Sequence, residues 1–535
     1  MNISFFGKIV FIVTVANIVV CNMGFSQAEK LQSQTLTKAF SYIQNLYIDS
    51  INSEEIVENA ILAMLKNLDP HSQYISKDNV KMVDDLLKGN LEGIGIQFNI
   101  LEDTVFIINP IKDGPAAREG IMPGDKIITA EKQNISGTGI NNESVKKIFT
   151  GLKGTKIDIG IKRSGEAEML HFSVEREKIP INSIVASYLV DDKTGYIKLN
   201  SFSSTTISEF DKAMSNFMAF SIENLILDLR GNGGGYLQTA AELCDHFIDN
   251  KKLIVFTEGM HSNKKEIVAK IDGSFEKGKL AILINEGSAS ASEIVAGAVQ
   301  DWDRGIIIGR RSFGKGLVQR PLDLPDGSRL RLTVAHYYTP TGRSIQKSFN
   351  NGNIEYKYEI INRYNHGEFS NRDSIHFPDS LKYETLINKR TIYGGGGIMP
   401  DIFMPLDTGS FTNYFQELFG KGIIHLFAFK YANDYRHLFK QEYSTFEKYK
   451  TEFNVSEEMF EELLSIAKEN NIVFKKSEYL RSKEEIRINI LALIASNLFN
   501  NDNYYEIINS TDKVLLKATE ILSNKKSYKK ILSGK

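Results

Sequence analysis

The sequence has few of the residues that build disulfide or metal scaffolds. Only two of its 535 residues are cysteines, Cys21 and Cys244, so neither a disulfide framework nor a four-cysteine zinc site can form. The nine histidines are scattered, with no HExxH motif and no pair at metal-ligand spacing. We therefore expect neither a structural nor a catalytic metal, and no other cofactor.

The chain also lacks an excess of either charge. Lysine and arginine total 64, and aspartate and glutamate total 66, which leaves a net charge of −2. This balance gives no support for nucleic-acid binding through a basic surface. With 24% charged and 42% hydrophobic residues, the composition is that of a globular protein and not of a disordered, collagen-like or coiled-coil chain. The length predicts about three or four domains.

Long apolar runs are missing except at the N-terminus. Ile9–Val20 is uncharged, but it is shorter than the roughly 20 helical residues that span a bilayer. It is typical of the apolar core of a secretory signal, and Gly24 and Ser26 are small residues at positions −3 and −1 of a cleavage site. We expect a signal peptide over residues 1–26 and export to the periplasm. The alternative is an uncleaved membrane anchor.

The pattern of the chain changes three times. Residues 27–87 have helical periodicity, residues 88–177 have short strands and glycine turns, and residues 178–406 alternate strands with helices. Residues 407–535 are mostly helical. The last 25 residues carry seven lysines against two acids, which we interpret as a solubilising end and not as a nucleic-acid site.

Two apolar strands organise the third of these regions. Leu225–Leu229 and Leu280–Ile284 are short hydrophobic runs, and each is followed by a loop of small residues and an amphipathic helix. Strand–loop–helix units in series are typical of a largely parallel sheet that is covered on its faces. The loops after these strands are therefore the first places to look for a site.

Three serines alternate with alanine in the segment Asn285–Glu293, between one of these strands and its helix. Ligands of open α/β sheets bind outside the carboxyl ends of strands, and a helix N-terminus favours negative charge. These features suit a serine nucleophile with the Ala291 N–H as an oxyanion donor. The alternative is a helix cap. From the residues alone, Ser288, Ser290 and Ser292 are equal candidates.

The loop after the other strand, Asp228–Gly235, is rich in glycine. Consecutive glycines allow unusual backbone geometry and can point N–H groups at a ligand. Gly234 or Gly235 is therefore a candidate for the second oxyanion donor, beside Ala291. The alternative is a tight turn packed under the sheet.

A nucleophilic serine needs a base, and the positions of the histidines in the sequence do not identify any of them as that base. Lys315 is the candidate, because glycines flank it and Leu317–Val318 would add an apolar pocket, and burial lowers the pKa of a lysine towards neutrality. Gln319 lies four residues on and could orient the lysine as the third member of a triad does. The alternative is a surface lysine on a turn.

The same segment imitates a phosphate-binding loop. Gly309–Lys315 matches GxxxxGK, but residue 316 is glycine where the motif needs serine or threonine for magnesium. The motif also needs a helix next, whereas Leu317–Pro321 is strand-like and ends in proline. We reject nucleotide binding on both grounds.

These segments together resemble the carboxyl-terminal processing peptidases, also called tail-specific proteases. The resemblance implies that Ser290 is the nucleophile, that Lys315, 25 residues later, is the base, and that Gln319 orients it. It thus selects one serine where the residues alone left three. The matching motifs are LDPHSQY (68–74), LDLRGNGGG (227–235), NEGSASASE (285–293), GRRSFGKGLVQ (309–319), LTVAHYYTPTGRSIQ (332–346) and GGGGIMPD (394–401).

The small β-rich region resembles the PDZ domain of that family. Gly93, Ile94, Gly95 and Ile96 match its carboxylate-binding loop, and residues 115–125 match the rest of the module. In such a domain backbone N–H groups capture the terminal carboxylate of a peptide, which adds a strand to the sheet edge. The resemblance implies that the two isoleucines line the side-chain pocket.

The resemblance implies a mixed α/β and β fold: a ClpP/crotonase-like α/β protease core with an inserted PDZ domain and a C-terminal helical extension. The extension departs from the shortest family members and leaves oligomeric state and regulation open. The expected divisions are a signal peptide (1–26), an N-terminal helical part of the core (27–87), the PDZ domain (88–177), the Ser/Lys protease core (178–406) and the extension (407–535).

The function expected from these features is that of an exported serine endopeptidase. It would cleave proteins near their C-termini and bind protein or peptide substrates, but no nucleic acid. An alternative from another class is a peptide-binding scaffold that has lost its protease. A third is the nucleotide hydrolase that the imitated phosphate loop suggests.

Overall fold

The computed structural model describes residues 27–350 and 352–534 of the chain. The protein divides into two compact units, Met1–Leu68 and Asp69–Lys535. The predicted signal peptide, residues 1–26, lies outside the described residues. None of the helices in the described residues is both long enough and apolar enough to cross a membrane.

The described part of the first unit consists of two helices, α1 (Gln27–Leu46) and α2 (Ser53–Lys66). Asn52 begins α2, because its side chain accepts a hydrogen bond from the N–H of Glu55. This is the usual way in which an asparagine satisfies one of the free donors in a first helical turn.

The second unit begins with strand β1 (Gln73–Ile75) and helix α3 (Lys77–Leu87), and then forms a small β-rich domain. Its five main strands are all antiparallel, in the order β3-β4-β5-β7-β8, with β6 on β5, while β2 and β9 form a separate ribbon where the chain enters and leaves. Its elements are β2 (Asn90–Gly93), β3 (Ile96–Leu101), β4 (Thr104–Pro110), α4 (Pro115–Arg118), β5 (Lys126–Ala130), β6 (Gln133–Asn134), α5 (Asn142–Phe149), β7 (Lys156–Lys162), β8 (Leu170–Glu175) and β9 (Glu177–Pro180).

The core of this small domain follows from strand periodicity. Ile157, Ile159 and Ile161 alternate along β7, and all three are buried, as are Val105 and Ile107 of β4. Because successive side chains of a strand point to opposite faces, each strand supplies one apolar face to a common core. Strand β3 pairs only with β4 among the described residues, so its other edge is open.

The region that follows contains the elements of a second α/β domain. They are β10 (Ile184–Asp191), β11 (Thr194–Leu199), α6 (Thr206–Ala219), β12 (Asn224–Asp228), α7 (Leu237–Asp245), β13 (Leu253–Gly259), β14 (Ser262–Val268), β15 (Lys279–Ile284), α8 (Ala291–Asp301), β16 (Ile306–Gly309), β17 (Leu317–Asp323), β18 (Arg329–Tyr338), α9 (Asn353–Asn365), β19 (Lys382–Glu384), β20 (Thr391–Tyr393) and β21 (Ile402–Phe403). Two short 3₁₀ turns, Arg372–Ser374 and Asp379–Leu381, precede β19.

Six of these strands form one sheet in the order β10-β11-β12-β15-β16-β21. All neighbours are parallel except the pair β10 and β11. This confirms the largely parallel, covered sheet that the two strand–loop–helix units predict. The loops after β12 and β15 leave the same edge of the sheet, because these two strands are parallel neighbours.

A second sheet is antiparallel and runs β1-β18-β13-β14, with β17 also paired to β18. Strand β17 pairs with β18 from Leu317 to Asp323, so the segment after Lys315 is held against β18. Strand β1 pairs with β18 at Gln73–Ile75, so the segment that starts at Asp69 lies beside the same strand.

The C-terminal extension has two parts. The first is a helical bundle with its own hydrophobic core, and the second is a pair of helices after a 3₁₀ turn at Asn509–Thr511. The bundle consists of α10 (Asn413–Gly420), α11 (Ile423–Asp434), α12 (Arg436–Glu442), α13 (Phe446–Glu452), α14 (Glu457–Glu469), α15 (Lys476–Leu498) and α16 (Asn501–Ile508), and the pair consists of α17 (Lys513–Ser523) and α18 (Lys525–Leu532).

The two faces of the parallel sheet have different covers. Leu225 and Leu227 of β12 pack with α6, α7 and α8, whereas Ile226 between them packs with the terminal pair α17 and α18. Leu522 and Tyr528 are among the buried residues of that pair. The prediction that the last 25 residues are a solubilising end is therefore wrong: the four lysines of α18 are exposed, but the apolar residues of the two helices complete the core of the parallel sheet.

Candidate active site

The segment after β15 enters α8 through a strained residue. Ser290 has a φ of 56° and a ψ of −110°. Residues other than glycine seldom adopt this backbone conformation. It is the N-cap of α8 and forms a capping box with Glu293, whose Oε2 accepts a hydrogen bond from the Ser290 N–H at 2.8 Å. Ser290 thus stands in a strained conformation at the start of a helix whose residues are all buried. Strained residues of this kind cluster at functional sites.

The three serines of this segment have different partners. Ser288 Oγ donates to the Leu229 carbonyl at 2.8 Å, and Ser292 Oγ donates to the Asn232 carbonyl at 2.8 Å, so both fasten this segment to the glycine loop. The Ser290 hydroxyl donates to no acceptor among the described residues, which leaves its proton available. The geometry thus separates one serine from the other two, as the residues alone could not.

The glycine loop after β12 lies directly against Ser290. A Cβ added to Gly234 would be 2.9 Å from the Cβ of Ser290 and 3.1 Å from the nitrogen of Ala291, and Gly234 has a φ of +104°. Gly235 is equally constrained, because its added Cβ would be 2.0 Å from the carbonyl oxygen of Phe202. Only glycine fits at these two positions, since both the backbone conformation and the space exclude a side chain.

The predicted oxyanion donors differ in their availability. The Ala291 N–H, at the first position of α8, has no acceptor within the described residues, nor does the Gly235 N–H. The Gly234 N–H is already donated to Asn232 Oδ1 at 2.9 Å. Gly234 therefore contributes close packing against the serine, and of the two predicted glycine donors Gly235 is the one whose N–H is free.

Lys315 lies before β17 and is mostly buried. Its Nζ donates to Gln319 Oε1 at 3.0 Å, and Gln319 Nε2 donates to the carbonyl of His71. The backbone carbonyl can only accept, so it turns the amide oxygen of Gln319 towards the lysine. Nothing in the described residues joins Lys315 Nζ to Ser290 Oγ by a hydrogen bond.

Two buried groups bridge the backbones of Ser290 and Lys315. Glu293 Oε2 accepts from the N–H of both residues at 2.8 Å. The hydroxyl of Tyr337 on β18 lies 3.0 Å from the Ser290 carbonyl and 2.7 Å from the Lys315 carbonyl. The structure therefore brings the predicted nucleophile and base together through their main chains.

The charges around the lysine shift its protonation. Burial, and after it the positive charge of Arg331, lowers the pKa of Lys315 to about 8, although Glu293 and Asp69 act in the opposite direction. Burial raises the pKa of Glu293 to about 7 against four hydrogen bonds that lower it. Burial and the charge of Lys315 lower the pKa of His71 to about 4, so this histidine is neutral at physiological pH.

Sequence reasoning missed several residues of this site. Glu293 and Tyr337 were visible only as the last letter of one motif and as one aromatic residue within another. The His71 carbonyl belongs to the motif LDPHSQY, whose place beside β18 depends on a pairing across more than 250 positions. The side chain of His71 instead contacts the hydroxyl of Tyr356 at 2.7 Å.

The imitated phosphate loop has neither feature of a real one. Gly309 ends β16, and the residues after Lys315 form strand β17 and not a helix. Gly314 N–H donates to the carboxylate of Glu293 at 2.7 Å. A loop whose amide already binds a buried carboxylate is not arranged for phosphate.

The predicted carboxylate-binding loop lies at the entry to the small domain. Gly93 ends β2, Gly95 has a φ of +74°, and Ile96 begins the open edge strand β3. Ile94 is only 1% exposed and belongs to the domain core, whereas Ile96 is partly buried at the edge.

Four parts of the chain match described protein families. Residues 193–359 match Peptidase family S41, and residues 93–175 match the PDZ domain. Residues 19–79 match the activating protease CtpB N-terminal domain, and residues 414–500 match a family of unknown function, DUF8443.

The chain is also similar to several curated proteases. It is 38% identical over 312 residues to a carboxy-terminal-processing protease of Bartonella bacilliformis, an alignment that covers 57% of this chain and 71% of the relative. It is 33% identical over 315 residues to the carboxy-terminal processing protease CtpB of Bacillus subtilis, with 58% of this chain and 65% of the relative covered. The chain thus spans slightly less than two thirds of the Bacillus protein's length.

Among solved structures, the photosystem II D1 C-terminal processing protease aligns with 26% identity and a TM-score of 0.38. That alignment covers 59% of this chain and 86% of the other. The similarity to the Bartonella protein extends over most of that relative, and the protease and PDZ matches fall on the two domains described above. The chain belongs to the carboxy-terminal processing proteases of peptidase family S41, which are serine-type peptidases with a PDZ domain.

Proposed function

We propose that this protein is an exported endopeptidase that uses Ser290 and Lys315 as a catalytic dyad and cleaves proteins near their C-termini. The observation that carries the proposal is the double bridge between the two residues. Glu293 accepts from both backbone N–H groups, and Tyr337 contacts both carbonyls. A bridge of this kind fixes a nucleophile and its base relative to each other before substrate arrives, which is how a preorganised site lowers a barrier.

In the proposed reaction, the neutral amine of Lys315 takes the proton of Ser290 Oγ as the oxygen attacks the scissile carbonyl. The N–H groups of Ala291 and Gly235 stabilise the oxyanion. The Lys315 ammonium then gives its proton to the leaving amine, and the peptide bond breaks. Lys315 next deprotonates the water that hydrolyses the acyl-enzyme, which restores Ser290.

Gln319 orients the base in this proposal. In the resting arrangement it accepts a hydrogen bond from Lys315, and the dyad hydrogen bond forms when substrate binds. An arginine would not serve in place of Lys315, because the base must lose its proton near the working pH and a guanidinium stays protonated. A pKa of about 8 makes roughly a tenth of Lys315 neutral at pH 7.

The PDZ domain would capture the substrate C-terminus. The open edge of β3 offers main-chain groups for an added strand, and the Gly93–Ile96 loop stands at its start. Export rests on the apolar run before residue 27, which lies outside the described residues.

The test is cleavage of a partly unfolded protein that ends in an apolar tail. Ser290→Ala and Lys315→Ala should each remain folded and lower kcat/KM by more than about a thousandfold. Arg320→Ala changes an exposed side chain on β17, close in sequence to Lys315. It is the control and should cleave normally. Cleavage at the wild-type rate by either dyad variant contradicts the proposal. Amidation of the substrate's C-terminal carboxylate should raise KM if the PDZ domain captures it.

A further inference from the structure

Two arginines on β18 have opposite surroundings. Arg329 forms ion pairs with Asp84 and Asp323, each at 2.6 Å. Arg331, two residues further along, forms no ion pair with any described carboxylate. Its Nη2 donates to the amide oxygen of Gln73 at 2.8 Å, and its Nε is buried without a hydrogen-bond partner among the described residues. Arg331 is partly buried, and partial burial without a neutralising carboxylate costs free energy, so the arrangement calls for an explanation.

The strand register directs this charge towards the base. Thr333 is opposite Gln319, and Arg331 is opposite Pro321, in the antiparallel pair of β17 and β18. Residues directly opposite share a face of the sheet, as do residues two apart on one strand. Arg331 therefore lies on the same face as Gln319, whose side chain holds Lys315.

The other charged and titratable groups around Lys315 come from three further elements. Glu293 comes from α8, and Asp69 from the segment before β1, where its carboxylate accepts hydrogen bonds from Ser72 and Thr333. His71, from that same segment, is neutral. Lys347 is paired with Glu359 at 2.9 Å. Arg331 is thus the cation on this face that no described carboxylate neutralises.

We propose that Arg331 tunes the base: its unneutralised charge on the Gln319 face of β18 destabilises the ammonium form of Lys315 and so keeps the working amine available. The inference rests on the proposed Ser290–Lys315 dyad and adds a residue to it. Arg331 acts through Lys315, so it is a positioning residue for charge and not a group that touches the reacting atoms.

The direction of the effect follows from electrostatics. Burial is the largest cause of the lowered pKa of Lys315, and the positive charge of Arg331 lowers it further, because a like charge nearby disfavours the protonated lysine. Removing that charge raises the pKa of Lys315 above about 8. Since catalysis needs the neutral amine, the acidic limb of the pH profile of kcat/KM then moves to higher pH.

The experiment is the pH profile of kcat/KM for Arg331→Gln in the full-length protein, with a peptide substrate whose ionisation does not change over the range. We expect the acidic limb to move upward, kcat/KM at pH 7 to fall about three- to tenfold, and the alkaline plateau to equal that of the wild type. Arg331→Lys keeps the charge and should leave the limb in place. Arg329→Gln is the matched control, because two carboxylates already neutralise that arginine.

The possible results separate the tuning role of Arg331 from the dyad itself. An equal loss for Arg331→Gln at every pH, or an unmoved limb, overturns the tuning role. A limb that moves as much in Arg329→Gln also overturns it, because the effect would then come from net charge. If Lys315→Ala instead cleaves like the wild type, the dyad itself is wrong; an inactive Lys315→Ala beside an unmoved Arg331→Gln limb leaves the dyad standing and removes only this inference.

Discussion

The serine segment after β15 and the glycine loop after β12 occupy equivalent positions, yet they contribute in opposite ways. Each follows a parallel strand and leads into a helix. The serine segment presents a side chain from a strained residue, Ser290. The glycine loop presents only backbone, and Gly234 fits against Ser290 because it has no side chain. The comparison teaches that one loop supplies a side chain, whereas the other supplies the space around it and the free N–H of Gly235.

Adding one methyl group to the glycine loop should strongly lower both stability and activity. Gly234→Ala would put a Cβ within 3.1 Å of Ser290 and Ala291 at a φ of +104°. We expect the free energy of unfolding to fall by about 2–4 kcal/mol and kcat/KM to fall by at least about 100-fold. Thermal unfolding and peptide cleavage measure the two effects.

Gly233→Ala is the matched control for that change. An added Cβ at Gly233 has nothing within 4 Å, and the residue has no positive φ. It should keep nearly wild-type stability and activity. Equal damage from both substitutions would mean that the loop is merely sensitive to change, and that the close approach to Ser290 has no special part.

The two loops also differ in how they are anchored, and disturbing the anchor of the glycine loop should have a smaller effect. Arg230, at its start, pairs with Asp228 and with Asp512 of the C-terminal extension, each at 2.6 Å. Asp512→Asn retains a good helix cap but removes the charge, and should cost about 1–2 kcal/mol of stability and lower kcat several-fold. Asp512→Ala also loses the cap of α17 and should cost about 1 kcal/mol more.

Denaturant unfolding and kcat measured on the same preparations test this anchor. The serine segment has no such link to the extension among the described residues. If Asp512→Asn changes stability but leaves kcat intact, the extension supports the sheet without positioning the glycine loop. A change in KM alone would also argue against the anchor.

The smallest effects should come from the two serines that fasten the segments together. Ser288→Ala and Ser292→Ala each remove one buried hydrogen bond to the glycine loop, worth about 1 kcal/mol. Both should lower the melting temperature by a few degrees and retain activity within about fivefold. A loss as deep as that of Ser290→Ala in either variant would remove the distinction between the three hydroxyls.

Local patterns were enough to predict much of the site. The apolar strands and the small-residue loops after them predict a parallel sheet with two loops at one edge, and the resemblance to the family's motifs selects Ser290, Lys315 and Gln319. The roles of Glu293 and Tyr337 were not predictable, because they depend on hydrogen bonds to main-chain groups of distant residues. Periodicity identifies elements, but it does not say which carbonyl or amide a buried polar group will meet.

The C-terminal extension shows the same limit for the fold. Lysines dominate the sequence of α18, and they hide the fact that Tyr528 and Leu532 sit against the parallel sheet. A helix with charges on one face and few apolar residues on the other is, from its sequence, interpreted as an exposed end of the chain. The apolar residues of α18 pack on the second face of the parallel sheet, opposite the face that α6, α7 and α8 cover. The sequence of α18 by itself does not indicate this.

The central claim, that Ser290 is the nucleophile and Lys315 its base, is tested most directly by covalent labelling with a serine-directed phosphonate and peptide mapping. The account predicts a single label on Ser290, no label in Ser290→Ala, and labelling slowed by at least about 100-fold in Lys315→Ala. Labelling of a different serine, or labelling of Lys315→Ala at the wild-type rate, would contradict it.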